Sequence, residues 1–393
     1  MCLQDADQVE EELDNSNSTS NSNNTPITSS NKTTSWPLHW GLLDTQMENL
    51  ENNSSVNSSP LESICEDTVT MERKQNQFTN FVPMLRSGES SHIGHRLDME
   101  DTHICISNLA EKFGFKLLSG EKAVSFYGVF DGHGGKRAAN FVRDHLPKVI
   151  AANFVRDHLP KVIVEDANFP LELEKVVTRS FIETDAAFLK SCSLESSGTT
   201  ALAAMIFGRS LLVANAGDCR AVLSQRGTAV ELSRDHRPCC QKERMRIESL
   251  DGYIAYGYLN GELGVTRALG DWHLDGMKKI GGRGGPLSAE PELKLVTLTK
   301  EDEFLIIASD GIWDVFSSQN AVDFSRRRLL EHNDLNLCCK EIVVEAMKRE
   351  STDNLTVVMV SFHLERPPNV VVQKAKVHRS ISAEGLQKIS DAF

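Results

Sequence analysis

The sequence has no Lys- or Arg-rich block, and its 42 basic residues are outnumbered by 55 acidic ones, which gives a net charge of -13. This balance argues against nucleic acid and anionic membrane surfaces as partners. The chain also lacks an apolar run long enough to cross a bilayer, and its acidic amino terminus has no apolar signal core. We therefore expect a monomeric protein of the cytoplasm or the nucleus, with no membrane and no nucleic-acid partner.

The nine cysteines are an odd number, and none of them has the CxxC spacing of a zinc or redox site. Reduced thiols fit the same compartments. The sequence also lacks a twelve-residue EF-hand loop, a GxxxxGK(S/T) phosphate loop and a GxSxG elbow around a serine nucleophile. These absences exclude EF-hand calcium binding, P-loop nucleotide hydrolysis and catalysis by a serine of that type.

Composition divides the chain into three parts. Residues 1–85 are dominated by Ser, Asn, Thr and acidic residues, and they carry too little apolar surface to offset the entropy of ordering. We expect this part to be a disordered acidic tail. Residues 86–363 contain the apolar, patterned segments and are expected to form the folded domain. Residues 364–393 are poorly patterned and are expected to be a second tail, and either tail could recruit regulatory partners.

The strongest local signal is the stretch VSFYGVFDGHGG at residues 124–135. Its first seven residues are almost wholly apolar and rich in β-branched and aromatic types, which is typical of a strand buried on both faces. The apolar run ends at Asp131, and three glycines surround His133. A carboxylate at a rigid strand end, beside glycines that allow close approach, is well placed to hold an ion. An ordinary strand-ending turn is the alternative.

Four more carboxylates stand at strand ends. Asp218 and Asp310 each follow an apolar run and adjoin a glycine, Asp353 precedes an apolar run, and Glu100 opens a strand-like segment. Carboxylates that converge at one edge of a sheet assembly repel one another unless cations neutralise them. An all-oxygen set of donors favours Mg²⁺ or Mn²⁺ over zinc. Together these residues indicate a hydrolase in which two metal ions activate water.

Several residues keep two interpretations at this point. Arg96 and His133 are available to an anionic substrate, although His133 could also be a structural residue of the turn. The segment LLVANAGDCRAVLSQRG predicts a β-hairpin, in which Asp218 could be no more than a corner residue. Arg267 could contact substrate from a surface flap or form a structural ion pair.

A tandem duplication interrupts the pattern. Residues 138–150 read AANFVRDHLPKVI, and residues 151–163 repeat them identically. Thirteen residues rotate a helix so that the second apolar face points about 220° away from the first, and only one copy can occupy the packed helix position. Pro147 is expected to limit the helix of the first copy. We expect that copy to pack, with the thirteen extra residues bulging out before Val164.

In order and approximate spacing, nine motifs of this chain resemble those of the metal-dependent protein Ser/Thr phosphatases of type 2C, particularly the plant members. They are GHRLDMED, FDGHGG, SGTTA, NAGDCRAVL, RDHRP, TRALGD, SAEPE, SDGIWDV and DNLT. The resemblance covers about residues 90–363. It implies an α+β fold, with a central sandwich of two antiparallel β-sheets flanked by α-helices and a metal site at one end.

The resemblance also implies a role for each site residue. Asp131 would bridge two Mn²⁺ or Mg²⁺ ions, and a hydroxide between the ions would attack phosphorus without a phospho-enzyme intermediate. The other roles follow the same family pattern: Glu100 and the Gly132 carbonyl on one ion, Asp310 and Asp353 on the other, Asp218 on a weaker third ion, Arg96 as the phosphate clamp, His133 as the general acid, and Asp101, Asp314 and Asn354 as residues that orient ligands or waters.

The predicted function is hydrolysis of phosphoserine and phosphothreonine esters in phosphoprotein substrates. The alternative is a catalytically impaired binding protein of the same fold, disabled by the internal duplication. A displacement of the helix that follows Gly132 and His133 would loosen them, and a shift of about 1 Å in a catalytic group can cost about a hundredfold in rate.

Overall fold

A computed structural model describes residues 81–114, 123–134, 150–169, 172–191, 197–279 and 284–368. All of them belong to one of the two units into which the chain divides, Ser35–Phe393. The predicted tail of residues 1–85 and the predicted tail of residues 364–393 lie almost entirely outside the described residues. Within the described ranges, no helix is both long enough and apolar enough to cross a membrane.

The described strands, numbered in chain order, have the following bounds: β1 Arg86–His92, β2 Asp101–Ile106, β3 Val124–Gly134, β4 Ser197–Thr199, β5 Ala201–Phe207, β6 Ser210–Ala216, β7 Arg220–Gln225, β8 Thr228–Glu231, β9 Ile254–Ala255, β10 Tyr258–Leu259, β11 Leu269–Gly270, β12 Glu292–Thr297, β13 Asp302–Ala308 and β14 Leu355–Ser361. The described helices are α1 Leu109–Lys112, α2 Ile150–Glu165, α3 Leu173–Ser191, α4 Gln241–Glu248, α5 Asp310–Trp313, α6 Ser318–His332 and α7 Leu335–Lys348.

Two antiparallel sheets form a sandwich, as predicted. One sheet has the order β1-β14-β13-β7-β8, and the other has the order β11-β4-β3-β5-β6-β12, with β2 paired to β3. Apolar side chains of both sheets, including Val129, Leu223 and Val358, form one core. A second core joins α2 and α3 to the outer face of one sheet, and a third joins α5, α6 and α7 to the outer face of the other. The result is a layered α+β fold.

Strand β3 has both faces buried, as its apolar run predicts. Phe126 and Phe130 point into the core under α2 and α3, whereas Tyr127 and Val129 point into the core between the sheets. The strand does not stop at Asp131, however. It continues to Gly134 and changes partner, from β5 before Asp131 to β4 after it. Asp131 therefore lies where two strand pairings meet.

The predicted hairpin around Asp218 is wrong. Strands β6 and β7 belong to different sheets, and the two short turns on either side of them make the actual hairpins, β5–β6 and β7–β8. The chain passes from sheet to sheet at Gly217, which has a φ of +135° that favours glycine. The Asn215 side chain donates a hydrogen bond to the Gly217 carbonyl (3.0 Å) and stabilises this corner. Apolar strands buried on both faces fit a hairpin and a sheet-to-sheet crossing equally well, so the pattern could not separate them.

The duplicated segment is also placed differently from our expectation. The second copy forms α2 and packs, with Ala152, Val155, Leu159 and Ile163 buried. The first copy lies outside the described residues except for Ile150, the first residue of α2. The two copies are identical and differ only in their flanking residues: Val164 follows the second copy, and Ala151 follows the first. Helix α2 runs without interruption through Val164, so the described residues before Val164 contain no bulge.

Helix α3 buries one apolar face, which includes Val177, Phe181 and Phe188. Helix α6 is capped by the Ser317 hydroxyl, which accepts from the Asn320 amide. Pro160, the counterpart of Pro147, lies inside α2 and does not end it. The surface flap that carries Arg267, residues 252–270, contains β9 and β10 and contributes to a separate small core, while its three tyrosines are exposed.

Candidate active site

The predicted metal ligands and the two predicted catalytic residues line one cleft of about 580 Å³ at the end of the sandwich: Arg96, Glu100, Asp131, Gly132, His133, Asp218, Asp310 and Asp353. Four of its carboxylates come from different parts of the topology. Asp131 lies in β3 of one sheet, and Asp310 follows β13 of the other. Asp218 lies in the corner between β6 and β7, and Asp353 precedes β14. The cleft is thus built by both sheets together.

Three of these carboxylates are close enough to share a metal ion. One oxygen each of Asp131, Asp218 and Asp310 lies within 4.8 Å of the other two. The end of β3, the corner at Gly217 and the first turn of α5 bring them together from positions far apart in the chain. Three of the five carboxylates singled out from the sequence therefore form a cluster.

Burial and mutual repulsion disfavour the ionised form of these carboxyl groups. Burial raises the pKa of Asp131 well above its usual range, and the nearby charges of Asp101, Asp310, Asp218 and Asp353 raise it further. The pKa of Asp310 is raised in the same way, by burial and then by Asp218 and Asp353. Burial also raises the pKa of Asp101 to about 6. Such a group of carboxylates needs protons or cations to neutralise it.

The donor chemistry fits a hard divalent ion. The cluster is made of carboxylate oxygens, which Mg²⁺ and Mn²⁺ prefer. One oxygen of Asp101, Oδ1, is buried with no hydrogen-bond partner within the described part of the chain, while Oδ2 accepts from the Ser309 hydroxyl at 2.7 Å. Asp101 thus stands beside the cluster, as a residue that orients ligands or waters would.

Glu100 and Gly132 are fixed to each other by the backbone. The Gly132 amide donates to the Glu100 carbonyl (3.2 Å), and the Glu100 amide donates to the Asn354 side-chain oxygen (2.6 Å). A Cβ at position 132 would lie 2.5 Å from the Glu100 carbonyl oxygen, so only glycine allows this approach. Asn354 also donates to the carbonyls of Ile93 and Asp98, which ties the segment before Glu100 to the start of β14.

Arg96 contacts a predicted metal ligand directly. Its Nη2 lies 2.6 Å from Asp353 Oδ2, and about half of its side chain (51%) is exposed to the cleft opening. The guanidinium can therefore hold Asp353 on one side and offer its remaining donors to a bound anion.

His133 is held by a residue that the sequence did not single out. Its Nε2 lies 2.8 Å from Oδ2 of Asp271, the last residue of TRALGD. Burial disfavours the charged imidazole, but the Asp271 carboxylate outweighs burial, and the pKa of His133 is raised. A raised pKa keeps the ring available as a proton donor near neutral pH.

Arg237 is the second residue that sequence reasoning missed. It lies 2.9 Å from Asp218, 3.1 Å from Asp310 and 3.3 Å from Asp314. The only signal was its place in the RDHRP motif, which says nothing about its partners. Arg237 neutralises part of the charge of the cluster and links Asp314 to it. By contrast, Arg267 forms an ion pair with the buried Glu243 at 2.7 Å, which is the structural alternative.

Comparisons with known proteins place the chain in a family. The sequence model of the family "Protein phosphatase 2C" matches residues 85–355. The chain is 64% identical over 333 residues to "Probable protein phosphatase 2C 27" of Oryza sativa subsp. japonica, a match that covers 84% of this chain and 90% of that protein. It is 55% identical over 330 residues to "Probable protein phosphatase 2C 22" of Arabidopsis thaliana, covering 82% and 80%.

Solved structures share the fold at lower identity. A C. elegans sex-determining protein has a TM-score of 0.59 at 21% identity, covering 82% of this chain and 81% of that one. The serine-threonine phosphatase 2C from Toxoplasma gondii has a TM-score of 0.57 at 20% identity, covering 73% and 98%. With the family match over more than half of the chain and an acidic cleft suited to divalent ions, this chain belongs to the protein phosphatase 2C family of metal-dependent protein Ser/Thr phosphatases.

Proposed function

We propose that this phosphatase hydrolyses phosphoserine and phosphothreonine esters with two Mg²⁺ or Mn²⁺ ions held in the cleft, and without a phospho-enzyme intermediate. The observation that carries the proposal is the convergence of Asp131, Asp218 and Asp310 from both sheets within 4.8 Å. Burial raises the pKa of all three carboxyl groups, and neighbouring carboxylates raise the pKa of Asp131 and Asp310 further; divalent cations would relieve both costs. No covalent step on the protein is needed when water is the nucleophile.

In this proposal each ion has its own set of residues. Asp131 would be shared by both ions, since burial and the charges of Asp101, Asp310, Asp218 and Asp353 all disfavour its free anion. Glu100 and the Gly132 carbonyl would complete one set, and Asp310 and Asp353 would complete the other. Asp218 is assigned to a weaker third ion, because Arg237 already balances part of its charge at 2.9 Å.

The bound ions would lower the pKa of a water molecule and so provide a hydroxide nucleophile at neutral pH. Arg96 would orient the phosphate through donors not used by Asp353. His133 would donate a proton to the departing serine or threonine oxygen, for which its raised pKa is suited. Asn354, Asp101 and Asp314 would hold Glu100, Ser309 and Arg237 in place through the contacts described above.

A binding protein disabled by the duplication is the competing function. It requires that the duplication loosen Gly132 and His133. Two contacts argue against such loosening. Helix α2 packs directly against Gly132, because a Cβ built at Gly132 would lie 3.3 Å from the Ala152 Cβ. His133 also retains its contact with Asp271. The packed copy supports an active site of normal geometry.

The proposal extends to the substrates, the oligomeric state and the cellular location. The substrates are phosphoproteins, and we propose that the protein works as a monomer in the cytoplasm or the nucleus. The acidic residues 1–85 and the residues 364–393 would serve to recruit regulatory partners rather than to form part of the cleft.

The proposal is tested by assaying a phosphothreonine peptide with Mn²⁺, with Mg²⁺ and with EDTA. We expect hydrolysis with either ion, and loss with EDTA or with Asp131→Ala of about a thousandfold or more. Asp275→Asn is the matched control, because Asp275 is exposed and does not line the cleft. Hydrolysis that survives chelation would contradict the proposal, and a metal-loaded protein without activity would favour the disabled binding protein.

A further inference from the structure

The Asp271 carboxylate contacts the His133 ring directly. The Asp271 side chain is fully buried (0% exposed), and its Oδ2 lies 2.8 Å from His133 Nε2. Its other oxygen, Oδ1, is buried without a hydrogen-bond partner in the part of the chain that the structure describes. An ionised carboxylate can only accept, so Nε2 of His133 is the donor in this contact. Nδ1 is then the ring nitrogen left for the cleft, which His133 lines.

Three adjacent strands place this pair. In the register, His133 of β3 lies opposite Gly198 of β4, and Gly198 lies opposite Gly270 of β11. A Cβ at Gly198 would lie 2.0 Å from Asp271 Oδ2. The absence of a side chain at position 198 therefore creates the space in which the carboxylate reaches the histidine.

The residues on both sides of Asp271 are anchored to helix α3. The Gly270 amide and the Trp272 indole both donate to Asp185 Oδ1, at 2.7 and 3.1 Å. The Asp271 amide donates to the Ser197 carbonyl at 2.9 Å. Asp271 has a φ of +56°, a left-handed conformation that a non-glycine residue keeps only where its surroundings hold it. These contacts of residues 270–272 fix the direction of the Asp271 side chain.

We propose that Asp271 is a positioning residue that holds the His133 ring with Nε2 engaged, so that Nδ1 donates the proton to the leaving oxygen. The inference rests on the proposed function. The oxygen of the attacking water forms its bond to phosphorus as the bond between phosphorus and the serine or threonine oxygen breaks, and that leaving oxygen takes the Nδ1 proton. The imidazole is left neutral with its Nε2–H still donated to Asp271, inorganic phosphate departs, and solvent returns a proton to Nδ1. Asp271 itself lies outside the cleft and touches no substrate.

Two substrates with different leaving groups distinguish a positioning role from a purely structural one, because a structural defect would lower kcat equally on both. A serine or threonine oxygen needs a proton as it departs, whereas p-nitrophenolate is a stable anion that leaves without one. We therefore expect Asp271→Asn to lower kcat on a phosphothreonine peptide by at least about tenfold more than kcat on p-nitrophenyl phosphate, since general acids contribute about 10²–10⁴ in rate. Both assays use the full chain with Mn²⁺.

Two comparisons connect the effect to His133. His133→Gln should show the same substrate-selective loss, and the double variant should be little worse than either single one, because the two residues act as a unit. Gly198→Ala should reproduce part of the loss by displacing the carboxylate while Asp271 remains. This variant keeps the test valid if Asp271→Asn is poorly folded. Asp275→Asn, an exposed aspartate of the same loop, should match the wild type on both substrates.

Equal losses on the two substrates, or losses of Asp271→Asn and His133→Gln that multiply in the double variant, would overturn the positioning role. Unchanged activity of Gly198→Ala, with its carboxylate displaced, would also overturn it. A wild-type protein that hydrolyses neither substrate with Mn²⁺ would instead refute the proposed function, and this inference with it.

Discussion

At Asp131, burial and the charges of four neighbouring carboxylates act on one side chain and raise its pKa. Its place explains this environment: β3 carries it to the point where β5 ends as a partner and β4 begins. The same strand could be predicted from its apolar run, and so could the carboxylates at strand ends. The partners Asp271 and Arg237 could not, because their contacts with His133 and Asp310 join residues 138 and 73 positions apart.

Replacement of Asp131 by Asn should have opposite effects on activity and on metal-free stability. Activity should fall by about a thousandfold or more, because the bridging ligand is lost. In EDTA the melting temperature should rise by roughly 2–4 °C, because one of the mutually repelling charges is removed. Thermal unfolding of the wild type, Asp131→Asn and Asp275→Asn in EDTA measures this effect. A metal-free Asp131→Asn protein that melts below the wild type would show that the repulsion is not significant.

At the scale of elements, the sequence located most strands and helices but not their partners. Apolar runs buried on both faces predicted β6 and β7 correctly as strands, yet the same pattern fits a hairpin and a crossing between sheets. The duplicated helix is a sharper case. Local pattern cannot distinguish identical copies, which differ only in the residues that flank them. These choices depend on long-range packing, which periodicity does not report.

The duplication offers a matched pair of variants that tests which copy packs. Leu159 is fully buried in α2, and Leu146 is its counterpart in the first copy. Leu159→Ala should lower the free energy of unfolding by about 2–5 kcal/mol, as is typical of a buried leucine. Leu146→Ala should lower it by less than about 1 kcal/mol, since only one copy can occupy the position. Urea unfolding of the two variants measures both values, and the reverse order would mean that the first copy packs.

At the scale of the whole molecule, the two sheets meet at the cleft, so metal binding and folding should be linked. The pKa of each of Asp101, Asp131, Asp218 and Asp310 is raised in the folded state. The folded protein therefore keeps protons that the unfolded chain releases. These retained protons stabilise the folded state fully below pH 3.8, the ordinary pKa of the carboxyl group. The stabilisation is lost as the pH rises through the pKa of each group in the folded state, which is about 6 for Asp101. Metal ions replace these protons and restore the stability at higher pH.

The increase in melting temperature on adding Mg²⁺ should therefore grow between about pH 5 and about pH 8, because protons compete with the metal at low pH. The burial of His236 lowers the pKa of that group to about 3 and destabilises the fold at the acidic end. This effect is present with and without metal, so it cancels in the difference. Paired thermal scans in Mg²⁺ and in EDTA across this range give the measurement. A metal-induced increase that is larger at pH 5 would contradict the linkage.

Carboxylates from both sheets should hold two metal ions through a shared Asp131. Equilibrium dialysis with Mn²⁺, on the wild type, Asp131→Asn and Asp275→Asn, counts the ions bound by each chain. We expect about two tightly bound ions in the wild type and in Asp275→Asn, and loss of tight binding at both sites in Asp131→Asn. A wild-type chain with a single tight ion, or an Asp131→Asn chain that still binds two, would contradict this arrangement.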